Sequence, residues 1–154
     1  MSTPTERGPV AVDLATIHWP ATCDVCGAVQ HCSGTQAVVE DRLRWDEEHV
    51  CPGCGSTALL CGDTLPDRLR TRMLAEHGAA RLALPEPPAR RLPILRVLRN
   101  DGERTLPEAR ALLELILGSG HHGTGPEIEL LARRLRAVGV VAEAVRAPGT
   151  SGGS

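Results

Sequence analysis

The chain has no phenylalanine, no tyrosine and no lysine, and its only large aromatic side chains are the indoles of Trp19 and Trp45. Aromatic rings are the bulkiest core fillers. Their scarcity works against one large core and favours small modules that draw stability from another source. It also leaves only two platforms on which nucleic-acid bases would stack.

No apolar run is long enough to span a bilayer, and the first residues lack the charged-then-apolar order of a leader. The expectation is a cytoplasmic protein with no membrane partner. A formal charge of −2 offers no global field for nucleic acid. Between His18 and Thr64 the charged residues are Arg42 and Arg44 against Asp24, Glu40, Asp41, Asp46, Glu47, Glu48 and Asp63. So acidic a stretch is a poor binder of phosphate, and direct nucleic-acid binding is not expected.

What the sequence does have is two thiol pairs, Cys23-Asp24-Val25-Cys26 and Cys51-Pro52-Gly53-Cys54. A Cys-x-x-Cys turn puts two thiolates on one side of a metal, and a second turn from elsewhere in the chain closes a tetrahedron. Gly27, Gly53 and Gly55 supply the backbone freedom that such tight turns use. The reading is one structural Zn2+ held by Cys23, Cys26, Cys51 and Cys54. Four protein thiolates leave no open position for a catalytic water. A reducing cytosol also favours metal ligands over disulfides.

Cys32 and Cys61 remain, with His31 and His49 nearby. One reading makes them a second or alternative ligand set or a redox pair. The other makes the cysteines small core residues on neighbouring strands and the histidines surface or packing residues. No Ser-His-Asp or Cys-His order and no paired carboxylates stand out, so neither an enzyme nor a small-molecule substrate is expected.

In chain order, residues 1–15 read as a disordered tail and residues 16–64 as a zinc ribbon. Pro20 suits an edge strand, Ala28 to Cys32 return from the first turn, and Ala37–Val39 with Leu43–Trp45 supply another strand. Residues 65–80 read as a helix closing the ribbon, with Leu69, Met73 and Leu74 at helical spacing after Pro66. Residues 81–90 contain Pro85, Pro87 and Pro88 and read as a semi-rigid linker and domain boundary.

Beyond it, Leu92, Leu95 and Leu98 predict a helix ending near Gly102. Thr105 with Glu108, and Thr124 with Glu127, each form a capping box that opens a further helix. Gly118–Gly123, with His121 and His122, reads as a loop. Val140–Val145 reads as a short strand, and residues 147–154 as a flexible tail.

The segment 91–146 resembles the C-terminal domain of the bacterial ribosomal stalk protein of the L-seven/L-twelve family. The resemblance rests on Arg91-Leu92-Pro93-Ile94-Leu95-Arg96-Val97-Leu98-Arg99, on Leu106-Pro107-Glu108-Ala109-Arg110, and on Leu131–Leu135 leading through Gly139 to the terminal strand. It implies a first strand near Arg81–Leu84 and a middle strand between Leu115 and Gly123. It also implies recruitment of translational GTPases through Arg91, Leu92, Pro93, Leu95, Arg96, Arg99 and Arg110. Guanidinium forks on such a face suit carboxylates of an acidic protein partner.

The expected fold class is therefore α+β: a small four-cysteine zinc ribbon followed by a stalk-protein-like, mainly helical α/β domain. The expected function is a non-enzymatic adaptor that meets a translational GTPase or the ribosome. The alternative is a zinc-ribbon interaction protein outside translation.

Overall fold

The computed structural model describes residues 13–146, and the N-terminal part of them is a sheet of consecutive hairpins. Strands β1 (Leu14–Thr22), β2 (Val29–Val39), β3 (Arg42–Val50) and β4 (Thr57–Gly62) pair antiparallel in the order β1-β2-β3-β4. Pro20 lies on β1, an edge strand, where a missing backbone donor is tolerated.

Residues 1–12 of the expected tail lie outside the described residues, but Leu14 and Ala15 are strand residues paired with Ala37 and Gln36. Cys32 and Ala37 belong to one uninterrupted β2, not to two strands. Gly34 interrupts the β-forming pattern in sequence, yet it is needed for space. A Cβ there would stand 3.3 Å from both Leu69 and the Trp19 ring.

The β2–β3 connection is a two-residue turn, Glu40-Asp41, with φ of 48° and 63°. Left-handed geometry at both positions matches the strand twist, although neither residue is glycine. Arg134 donates to the Asp41 carbonyl oxygen at 3.1 Å and holds the turn from outside.

Helix α1 (Asp67–His77) starts after Pro66 and packs Leu69 and Met73 against Ala15, Ile17 and Leu65, with Trp19 and Trp45 at the margin. This cluster is small. Beside it lies the buried Glu47, whose carboxylate accepts from both terminal nitrogens of Arg68 and from His49 Nε2 at 2.7 Å. The Arg68 hydrogen bond holds the Glu47 carboxyl below the usual carboxylate range, against the opposing effect of burial.

The domain boundary is displaced from its expected place. Ala80–Ala83 is strand β5, the centre of a second sheet ordered β6-β5-β7, so the reading of 81–90 as linker begins too early. Four residues are too few for alternation to declare itself in sequence. Pro85, Pro87 and Pro88 instead form a loop inside the C-terminal unit, and only Gly78 and Ala79 separate α1 from β5.

Helices α2 (Leu92–Asp101) and α3 (Leu106–Leu117), strand β6 (His121–Gly123), helix α4 (Gly125–Ala137) and strand β7 (Glu143–Arg146) follow. β6 and β7 flank β5 antiparallel. β6 occupies residues read from composition as loop. Leu82, Ile94, Leu98, Leu113, Ile128, Leu131 and Leu135 fill the core between this sheet and the helices.

Both predicted capping boxes are present, Thr105 with Glu108 and Thr124 with Glu127. The second does more than start its helix. The buried Thr124 hydroxyl donates to Gln36 Oε1 at 2.5 Å, and Glu127 accepts from Arg70 Nε at 2.8 Å and from a terminal nitrogen at 3.0 Å. The start of α4 is thereby tied to the ribbon and to α1, and the two units form one body.

Two stability measurements follow. Leu98→Ala should lower unfolding free energy by about 2–5 kcal/mol through lost burial and a residual cavity, read by denaturant titration. Arg68→Ala should cost about 1–3 kcal/mol at neutral pH by leaving a buried carboxylate underpartnered. Because the folded state depresses the Glu47 pKa, that difference should fade as pH falls through the carboxylate range.

Candidate metal centre

The two cysteine turns lie at the same end of the ribbon, one between β1 and β2 and one between β3 and β4. Their backbones repeat each other. The Cys23 amide donates to the Ala28 carbonyl at 2.8 Å and the Gly27 amide to the Cys23 carbonyl at 2.9 Å. The Cys51 amide likewise donates to Ser56 at 2.9 Å and the Gly55 amide to Cys51 at 2.8 Å. Gly27 and Gly55 have φ of 75° and 74°, a conformation that a Cβ would strain.

This repetition brings four sulfurs together. All four Sγ atoms lie within 4.8 Å of one another. Cys23 is 3.8 Å from Cys54, and Cys26 is 3.6 Å from Cys51. Around an ion with metal–sulfur bonds of about 2.3 Å, the edges of a thiolate tetrahedron measure about 3.8 Å. The donor set fits a tetrahedral metal ion. Cys23 and Cys51 are buried, whereas Cys26 and Cys54 face solvent and give an ion its way in.

Gly53 is required by space: a Cβ would lie 3.0 Å from the Ala28 Cβ and 3.4 Å from the Cys26 sulfur. Ser56 was not singled out by sequence reasoning. Its hydroxyl lies 3.0 Å from the Cys54 sulfur and 3.5 Å from that of Cys23. The only sequence signal for it is its place just after the second turn.

Electrostatics divide the thiols. The Ser56 hydrogen bond, then the backbone amides of Cys26 and Val25, lower Cys23 to about 6. Ser56 also lowers Cys54. At Cys26 the Ala28 amide favours the thiolate, but the neighbouring thiols of Cys51, Cys54 and Cys23, together with burial, push it up to about 11. Several thiolates crowded together repel, and a cation is what lets all four ionise at once.

The other sulfur and imidazole candidates stand apart from this cluster. Among the described residues, the four cysteines form the one group at mutual ligand distance. Cys32 is buried on β2, and burial raises its thiol pKa, followed by the effect of Glu47. Cys61 is exposed on β4, two strands away on the opposite sheet face, so its reading as a core residue on a neighbouring strand does not hold. His31 is exposed, and His49 is engaged by Glu47 and, at 3.5 Å, by Gln30.

The expected partner-binding residues lie along α2 and α3. Leu92, Arg96 and Arg99 share the solvent side of α2, opposite the buried Ile94 and Leu98. Pro93 is half-buried beside a groove, and Leu95 packs against the core. Arg91 pairs with Glu114 at 2.9 Å, and Arg110 lies one turn before Glu114 on the exposed side of α3. No described helix is long and apolar enough to cross a membrane. No protein-family model, curated protein or solved structure matches the chain.

Ser56→Ala should weaken metal binding roughly tenfold while leaving the fold intact, as removal of a group that supports a ligand does. Competition with a chromophoric chelator measures this. Cys51→Ser should abolish stoichiometric binding, and in the native protein metal uptake should release protons and weaken on acidification.

Proposed function

We propose that the protein is a non-enzymatic, zinc-stabilised adaptor of the cytoplasm whose C-terminal unit binds a translational GTPase or another part of the translation machinery. The observation that carries this reading is the solvent stripe of α2. Arg96 and Arg99 stand there with Leu92, and neither arginine has an ion-pair partner among the described residues. Arg91, just before them, is by contrast neutralised in place by Glu114. Unpaired guanidiniums beside exposed leucine suit an acidic protein surface with an apolar centre.

The element order strand-helix-helix-strand-helix-strand from β5 to β7 supports the stalk-like reading, since the resemblance implies that succession. Zinc is favoured as the ion because closed four-thiolate tetrahedra are its usual structural sites. Iron accepts the same donor set, and elemental analysis with the visible absorption spectrum distinguishes the two.

One feature favours a second reading. β4 is an outer strand with Leu59 69% and Leu60 47% exposed, a sheet edge that an extended partner could extend. On that reading the ribbon is the working surface, and the protein acts outside translation.

The test is a binding titration of the whole protein against translational GTPases and ribosomes, at two salt concentrations. Arg96→Glu with Arg99→Glu should weaken binding by at least about tenfold, and added salt should do the same to the native protein. If neither target binds, and a captured partner outside translation is lost on Leu59→Asp instead, the second reading replaces the first.

A further inference from the structure

A cleft of about 470 Å³ opens where the ribbon meets the C-terminal unit, a volume within the range of small-molecule sites. Four guanidiniums reach it from four elements: Arg42 from β3, Arg70 from α1, Arg104 from the loop before α3, and Arg134 from α4. Nothing in the metal centre or in the α2 stripe uses this space.

The three carboxylates that line the cleft are already committed. Glu127 is gripped by Arg70 and also accepts from the Thr124 amide at 2.9 Å. Asp101 accepts from Arg134 and faces Arg104 at 3.7 Å. Asp63 is paired at 2.9 Å with Arg44, which is not a lining residue. Arg104 also gives one terminal nitrogen to the Leu98 carbonyl at 3.0 Å, and Arg42, with no ion-pair partner among the described residues, is the uncommitted guanidinium of the cleft.

His121 and His122 add imidazoles on the β6 side. Burial, then the charge of Arg104, holds His121 below its usual pKa. A metal is a poor explanation for these rings. No three histidines and carboxylates of the cleft lie at mutual ligand distance, whereas the four cysteines do. Leu43, Leu130 and Leu131 supply an apolar side.

We propose that this cleft binds a small organic phosphate, its oxyanion held by Arg42, Arg104 and the imidazoles and its organic part against the leucines. Donors converging from several directions match a tetrahedral dianion better than a planar carboxylate, which one guanidinium fork can satisfy. The proposal is independent of any role in translation.

Calorimetric titration of the whole, metal-loaded protein with glycerol 3-phosphate, inorganic phosphate and glycerol tests it. Glycerol 3-phosphate should bind more tightly than inorganic phosphate, and glycerol should not bind. Arg42→Ala and His122→Ala should each weaken binding by about tenfold or more, as loss of a hydrogen-bond donor to a phosphate dianion does. Both side chains are exposed, so circular dichroism and melting should match the native protein. Arg90→Ala, on the proline-rich loop, should change nothing. Absence of heat with both phosphates, or affinities unmoved by Arg42→Ala and His122→Ala, would overturn the proposal. Equal affinity for the two phosphates would overturn the organic class and leave an inorganic-anion site.

Discussion

The first turn of α4 is the constraint on which the arrangement of the molecule depends. A helix start has free amide donors that something must satisfy. Here Thr124 and Glu127 satisfy them locally, and the same two side chains reach outward to Gln36 and Arg70. The geometry that starts the helix is therefore the geometry that joins the two units. Arg133 with Asp13 at 3.0 Å, and Arg134 with the Asp41 carbonyl, extend the joint along α4. The cleft between the units exists because this joint holds its walls at a set separation.

At the far end of the ribbon the stabilising problem is different. The core between the ribbon sheet and α1 is five buried residues flanked by two indoles, and the outer strand β4 is mostly exposed. So little apolar burial gives a marginal fold. A metal held by the four cysteines would bridge the β1–β2 turn to the β3–β4 turn and cross-link the two hairpins where packing is thinnest. α1 covers the middle of the sheet, and Glu47 with Arg68 anchors it there. Each part of the sheet is thus held by a different kind of interaction.

The features legible in the sequence are those whose chemistry is local. Two cysteine pairs at fixed spacing point to the candidate metal centre, since the turn that aims two thiolates is contained in about five residues. The capping boxes at Thr105 and Thr124 are legible for the same reason, with donor and acceptor three residues apart. β5 and β6 have no pattern of their own in the sequence, and only the resemblance implies strands near them, because strands of four and three residues owe their existence to partners far along the chain. The prolines at 85, 87 and 88 drew the domain boundary to themselves, although they only interrupt the path from β5 to α2. Arg42, Arg70, Arg104 and Arg134 were invisible as a group, since no spacing predicts that four separate elements converge.

The pairing of β5 with β7 has a consequence for how the protein is made. Ala80 pairs with Arg146, so the central strand of the second sheet waits for a partner made long after it, beyond three intervening helices. The ribbon has no such wait, because each strand pairs with the one just before it. In vectorial synthesis the four ribbon strands and both cysteine turns are made first, and Gln36 and Arg70 precede Thr124 and Glu127. The N-terminal unit thereby serves as a template on which α4 is seated before its own sheet is complete.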